Sequence, residues 1–425
     1  MKITGIITEY NPFHYGHLYH LQKSKEITNS DAIICVLNGN FVQRGEAAMT
    51  DKWSRTKMAL ANGVDLVIEL PVVHGIRSAE YFAFGAVQTL AATGVVSSLV
   101  FGSEIGNIKV LKQAASILLK EPKFYQNNLR KQLKKGLSFP QARENALLKF
   151  LNHNNMFSPQ EKKDLEKTLS GPNNILGIEY IKCILKYNLN IKPHTIKRTH
   201  ENYHKKNTGH KMASATAIRT KLKKTNQVDS IKNYVPFSTW QQINKDFKQE
   251  KIPIQREKLG SLIIHELRHN SADNLKKYAE IKNGLENRMI NYAKNYGAWN
   301  DFIKHLHSKT LTKTRIKRNL LHVLLKLTKK DFNDIDQHGI KYLRVLGFNK
   351  TGEKILSHIN QNSSRPIITQ PAEYLKSPKT KSRDPLKKQL SYDLLATDIY
   401  SLLYKKPQLR KGGLDFTKQI IKIDD

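Results

Sequence analysis

Cysteine is almost missing from this chain of 425 residues: Cys35 and Cys183 are the only two, far apart and in no C-x-x-C pair. A disulfide framework and a cysteine-built zinc site are both unsupported, and a reduced, cytoplasmic compartment is expected. Long apolar runs are missing too. None approaches the ~18–20 residues of a membrane span, so no membrane partner is expected. The opening "MKITGIITEYNP" meets Glu9 too soon to be a secretory signal and reads as a first strand. Walker A, G-x-G-x-x-G and G-x-S-x-G patterns are all absent. The histidines between 194 and 210 read as phosphate- or solvent-facing, a metal cluster being the less expected reading, and no dedicated metal ligand is expected.

Acidic side chains are scarce beside basic ones, 36 against 71, giving a formal charge of +35. The excess is not spread evenly. Residues 1–100 carry eight of each sign, so residues 101–425 hold the entire surplus, 63 basic against 28 acidic. A neutral first quarter followed by a basic remainder suggests a chemical domain joined to a surface that meets a polyanion, with nucleic acid the expected partner.

What is present in the first hundred residues is alternation. Short β-branched runs at 3–10, 32–39, 65–71 and 96–104 are separated by helix-like stretches. Asp51 and Ser78 are placed as N-caps, and Gly63 and Gly94 as C-caps. This spacing predicts an α/β fold with a Rossmann-like parallel sheet, whose ligands sit beyond the carboxyl ends of the strands. Residues 105–190 read as mostly helical, 191–199 as one more strand, and 214–224 as a helix capped by Ser214. Beyond about 230 the pattern reads as all helix, with apolar stripes backed by Lys and Arg, and "QPAEYLKSPKTKSRDPLKKQL" as a linker or loop. The expected division is a catalytic domain at 1–225, with a helical insertion at about 105–190, and a basic α-helical region at 226–425.

Two stretches carry the chemistry. In "EYNPFHYGHLYHL", His14 and His17 flank Gly16 where the first strand gives way to a helix. A helix start offers free N–H groups and the positive end of its dipole to a phosphate. Two imidazoles there can donate ring N–H groups to the same oxygens, and Gly16 removes a side chain that would block them. A bare H-x-G-H is also compatible with an ordinary turn. The second stretch, "KMASATAIR", supplies another basic helix start, with Lys211, the hydroxyls of Ser214 and Thr216, and Arg219 as a β/γ-phosphate clamp.

The first stretch resembles the F-[ND]-P-x-H-x-G-H opening of the HIGH-type nucleotidyltransferases, and "SATAIR" resembles their S-S-T-x-I-R closing motif, with Ala215 in place of the second serine. "NGNFVQRGEAAMTDKWSRTKMAL", "GVDLVIELP", "FGSE" and "GPNNILGIEYIK" narrow the likeness to the tRNA(Met) cytidine acetate ligase family, most closely over residues 1–225. The resemblance implies a ligase that activates acetate with ATP, releases pyrophosphate, and acetylates N4 of the wobble cytidine (position 34) of elongator tRNA(Met). Coenzyme A is not used, and Mg²⁺ is expected with ATP. It further implies ATP contacts from Ile7, Thr8, Glu9, Tyr10, Asn11, Pro12, Phe13, His14, Tyr15, Gly16, His17, Leu18, Tyr19 and His20, then from Gly102, Asn173 and Arg198. His14, His17 and Arg219 are the expected catalytic residues. Gly102 would let the nucleotide lie against the backbone, Asn173 would read an adenine or ribose edge, and Arg198 would stack on adenine or reach phosphate. Gln43 and Arg44 are candidates for the acetate or target-base pocket. Arg198, Lys205, Lys206 and Lys211 are candidates for tRNA phosphates.

Two other readings compete. A small-cofactor adenylyltransferase of the same fold accounts for both motifs but leaves the basic half without a role. A non-catalytic RNA-binding factor accounts for the charge but not for intact His14, His17 and Arg219.

Overall fold

The computed structural model describes residues 1–153, 158, 171–198, 212–377 and 382–424. Its centre is a sheet of eight strands. In chain order the strands are β1 (Ile3–Thr8), β2 (Ala32–Asn38), the two-residue hairpin β3 (Phe41–Val42) and β4 (Glu46–Ala47), β5 (Leu66–Leu70), β6 (Val96–Ser103), β7 (Lys192–Lys197), β8 (Leu343–Phe348), β9 (Ile367–Ile368) and β10 (Ile421–Lys422). Apart from the separate β3–β4 hairpin they run in the order β10-β8-β5-β2-β1-β6-β7, with β9 on β8. All neighbours are parallel except β5 and β8, which are antiparallel.

The near-continuous apolar runs follow from a sheet covered on both faces. Ile33, Cys35 and Leu37 of β2 enter one core, and Ala32, Ile34 and Val36 enter the other. Successive side chains of a strand point to opposite faces, so one strand serves two cores. The second core is closed by the helices Ala79–Ala92, Ile108–Lys120 and Pro172–Lys186, through residues such as Phe82, Leu111 and Ile181. The first is closed by the helix Lys52–Leu60 and by helices beyond residue 226.

Several expectations are met in detail. Asp51 caps its helix by accepting the Ser54 N–H at 2.8 Å. Ser214 caps the helix Ala215–Thr225 by accepting from Ala217 N at 3.2 Å. Ser78 occupies an N-cap position without a side-chain bond. The region after 226 is mainly helical, but the all-helix reading is corrected by β8, β9 and β10, which join the central sheet. β8 carries Arg344 inside an otherwise apolar run, which breaks the strand signature. It is specified by its pairing with β5, with Val67 opposite Gly347 and Glu69 opposite Arg344. The expected linker is corrected too: "DPLKKQL" opens the helix Pro385–Ser401, with Asp384 as its cap. Among the described residues no helix is long and apolar enough to cross a membrane.

Candidate functional site

A cavity of about 480 Å³ opens at the carboxyl ends of the central strands, where open α/β sheets place their ligands. It gathers the end of β1 (Ile7, Thr8, Glu9), the loop after β2 (Gln43, Arg44), Gly102 of β6 and the end of β7 (Lys197, Arg198). It also receives the starts of three helices: Tyr15–Thr28 (α1), Pro172–Lys186 and Ala215–Thr225.

The H-x-G-H turn is built by the histidines themselves. His14 is the N-cap of α1, and its Nδ1 accepts the Gly16 N–H at 3.0 Å. His17 reaches back, and its Nδ1 accepts the His14 N–H at 3.3 Å. The two rings stack with centroids 3.8 Å apart. With each Nδ1 an acceptor, the proton of each neutral ring sits on Nε2, and that N–H is the donor left for a ligand. The rings are held neutral. Burial, then the Arg198 and Arg219 guanidinium groups, pushes His14 down to about 3. Burial, then His14, Arg198 and His20, lowers His17 as well. His20 falls to about 4 through burial and Arg198, and its Nε2 is enclosed without a hydrogen-bond partner among the described residues. Gly16 is needed first for this folding back, because a Cβ there would lie 2.8 Å from His14 Cε1.

The other wall is a relay. Gly102 lies within β6, and a Cβ on it would stand 3.1 Å from Cγ and Cδ of Arg198. Gly102 lines the cavity, and its immediate neighbour there is the Arg198 side chain. Arg198 Nη1 donates to Asn173 Oδ1 at 3.3 Å, and Asn173 Nδ2 donates to Glu104 Oε1 at 2.6 Å. Glu104 also accepts the Asn173 and Asn174 N–H groups at 3.2 and 2.8 Å, capping that helix. On the closing motif, Arg219 Nη1 donates to the Asn11 carbonyl at 2.6 Å and Nη2 to Thr216 Oγ1 at 3.2 Å. Two motifs some two hundred residues apart in sequence are thereby bonded to each other.

Not every expected residue faces this space. Tyr10, Asn11, Pro12 and Phe13 are buried supports: Phe13 packs on Tyr10 at 4.6 Å and Asn11 Oδ1 accepts Met49 N–H at 2.7 Å. Tyr15 and Leu18 lie on α1 but do not line the cavity, and Arg219 lines a neighbouring one. Gln43 and Arg44 do line it. Gln43 is anchored, its N–H donating to Glu9 Oε1 at 2.9 Å and its side-chain amide to the Arg77 carbonyl at 3.0 Å. Lys205, Lys206 and Lys211 fall outside the described residues.

The sequence did not single out Arg55 or Glu104. Arg55 is fully buried. It donates to the carbonyls of Glu9 (2.8 Å), Asn38 (2.9 Å), Gly39 (2.5 Å) and Thr50 (3.1 Å), tying together the ends of β1 and β2. Glu104 stands in the quoted "FGSE", yet nothing local pairs it with "GPNN" across 70 positions.

A space walled by helix starts, neutral ring donors and guanidinium groups suits a nucleotide with several phosphates. A family model described as HIGH Nucleotidyl Transferase matches residues 1–415. The tRNA(Met) cytidine acetate ligase of Halothermothrix orenii is 48% identical, covering 99% of this chain and 100% of that protein. Its counterpart in Acetivibrio thermocellus is 39% identical with the same coverage. A crystal structure of Thermotoga maritima TmcAL bound with alpha-thio ATP matches over 100% of both chains, with a TM-score of 0.91 and 36% identity. The chain belongs to the tRNA(Met) cytidine acetate ligase family, within the HIGH nucleotidyl transferases.

Proposed function

We propose that this chain activates acetate with ATP and transfers the acetyl group to N4 of the wobble cytidine of elongator tRNA(Met), without coenzyme A. The observation that carries this reading is the joining of the His14–His17 helix end to the Arg219 helix over one cavity, in a chain alike over its full length to acetate ligases. In the first step an acetate oxygen attacks the α-phosphorus. The bond to the bridging α–β oxygen breaks, leaving acetyl-adenylate and pyrophosphate. The Nε2–H groups of His14 and His17 donate to phosphate oxygens as charge builds there, which is the main catalytic contribution. Arg198 holds the nucleotide against Gly102 and Asn173. Arg219 keeps the loop at Asn11 in place and offers its remaining donors to the departing pyrophosphate. In the second step the cytosine amine attacks the acetyl carbonyl carbon. The carbonyl C–O bond breaks, AMP leaves with the electron pair, and the amine gives up one proton to solvent.

Mg²⁺ travels with the nucleotide in this reading. Among the described residues no three His, Cys, Asp or Glu side chains group to hold a metal, so phosphate oxygens and water would supply its ligands. The basic surface beyond residue 100 holds the tRNA backbone. These are cytoplasmic substrates.

The test combines the purified protein with labelled acetate, ATP and unmodified bulk tRNA. Label in tRNA that disappears without ATP and maps to a wobble cytidine supports the reading. Pyrophosphate release driven by a different small substrate, with no label in RNA, replaces it by the cofactor-adenylyltransferase reading.

A further inference from the structure

Beside the nucleotide cavity lies a second one of about 590 Å³. Arg44 and Thr216 line both, so the two spaces adjoin there. The second cavity has a two-part lining. Its floor is apolar, with Met49, Leu222 and Ile254 all buried. Its rim is cationic, with Arg44, Arg219, Arg256 and Lys258. The two carboxylates on the rim are already engaged: Glu46 by Lys317 Nζ at 2.5 Å, and Glu257 by the Trp299 N–H at 3.1 Å. Among the described residues neither Arg44 nor Arg256 has an ion-pair partner.

Arg44 is also held in place. It sits in the β3–β4 turn, closed by Gly45 N–H to the Val42 carbonyl at 2.9 Å. Gly45 adopts φ +75°, and a Cβ there would stand 2.5 Å from the backbone nitrogen of Arg318. The turn is pinned against the helix Lys313–Leu324, so the backbone that carries Arg44 is fixed between the two spaces.

Resting on the acetyl-transfer reading above, we infer that this second cavity is the acceptor pocket, receiving a flipped-out pyrimidine nucleotide of the RNA substrate with its base on the Met49–Leu222–Ile254 floor and its flanking phosphates on Arg44, Arg256 and Lys258. The volume is far more than acetate needs and falls within the ~300–1,000 Å³ of pockets that bury most of a small ligand. Pyrophosphate, the other polyanion of the reaction, gains nothing from an apolar floor, whereas a base face does. The entry point also fits the chemistry. A base that leaves its stack must bring its amine to the acetyl group on the α-phosphate, so its pocket has to open onto the nucleotide cavity. Thr216, on the closing motif, belongs to both linings, which places the second cavity directly beside the nucleotide cavity.

The test uses two variants of the full chain. Thr220→Trp fills the cavity from an exposed position on the helix Ala215–Thr225, and Arg256→Ala removes an exposed rim charge. Each is assayed for acetate-dependent exchange of labelled pyrophosphate into ATP, and for acetyl transfer to unmodified tRNA. The inference expects exchange to stay within about twofold of wild type and transfer to fall by roughly tenfold or more. Transfer at the wild-type rate in both variants overturns it. So does a raised KM for ATP in the exchange reaction, which would assign the cavity to polyphosphate. Failure of the wild-type chain to label tRNA at all would instead sink the acetyl-transfer reading.

Discussion

At the scale of single residues, the H-x-G-H turn couples a helix cap to a pair of ring donors. Each imidazole uses Nδ1 to satisfy a backbone N–H of the first turn and keeps Nε2–H for a ligand. Two outcomes follow. In Gly16→Ala the new methyl displaces the His14 ring, since its Cβ would lie 2.8 Å from Cε1. Alanine also favours the helix by up to ~1 kcal/mol, so thermal stability should hardly change while adenylate formation falls by tenfold or more, roughly. Unfolding midpoints set beside pyrophosphate-exchange rates check this. The second concerns protonation. With His14 held near 3 and His20 near 4, the imidazole resonances of these residues in the free protein should not titrate between pH 8 and 5 in an NMR series. A midpoint near 6.5 for His14 would show that the ring is not buried against Arg198 and Arg219.

At the scale of elements, the site is held by bonds from side chain to main chain between strand ends and helix starts. Arg55 is the clearest case, a buried guanidinium shared among four carbonyls. Arg55→Met leaves those carbonyls without donors and should cost ~3–5 kcal/mol, read as a lower urea midpoint. Because the Glu9 carbonyl is one of the four, the KM for ATP should rise in the surviving fold. What was legible in the sequence follows the same division. The α1 start, the Ser214 cap and the strand–helix alternation depend on neighbours within a few positions, and the residues display them. The roles of Arg55 and Glu104 depend on carbonyls and N–H groups delivered from elsewhere, and a lone arginine in "KWSRTKMAL" looks like any helix-surface charge. β8 stayed hidden for a related reason. Its partner β5 lies hundreds of positions upstream, and Arg344 interrupts its apolar run.

At the scale of the whole molecule, charge and acidity set the remaining expectations. With +35 concentrated beyond residue 100, tRNA affinity should fall steeply with salt, by ~10³ or more between 50 and 200 mM if six or more phosphates are contacted. A filter-binding series that stays flat would refute this use of the charge. Stability should also fall on acidification from pH 7 to 5. His14, His74 and His322 are depressed to about 3 and His20 to about 4, chiefly by burial. The unfolded chain takes up protons below 6.5 that the folded chain refuses, so this stability is present above 6.5 and is lost as pH falls. Each such histidine contributes up to ~1.4 kcal/mol per pH unit. Asp246 and Asp393, raised to about 7 and 8 mainly by burial, act in the opposite sense: their stability is present below the ordinary carboxylate range and is lost as pH rises. Four histidines against two carboxyls leave a net loss at pH 5, measurable as a lower denaturation midpoint. The sheet itself has a consequence in time. The Lys52 ammonium is buried against Glu69 at 2.7 Å and Asp415 at 2.8 Å, and β5 is completed by β8. A ribosome delivers the nucleotide cavity's strands long before it delivers residues 343–348 and 415. Until then β5 waits with an open edge and Lys52 lacks one of its two counter-charges. A nascent chain therefore cannot finish the activating half early, and the first molecule able to make a reactive acyl-adenylate already carries the surface meant to consume it.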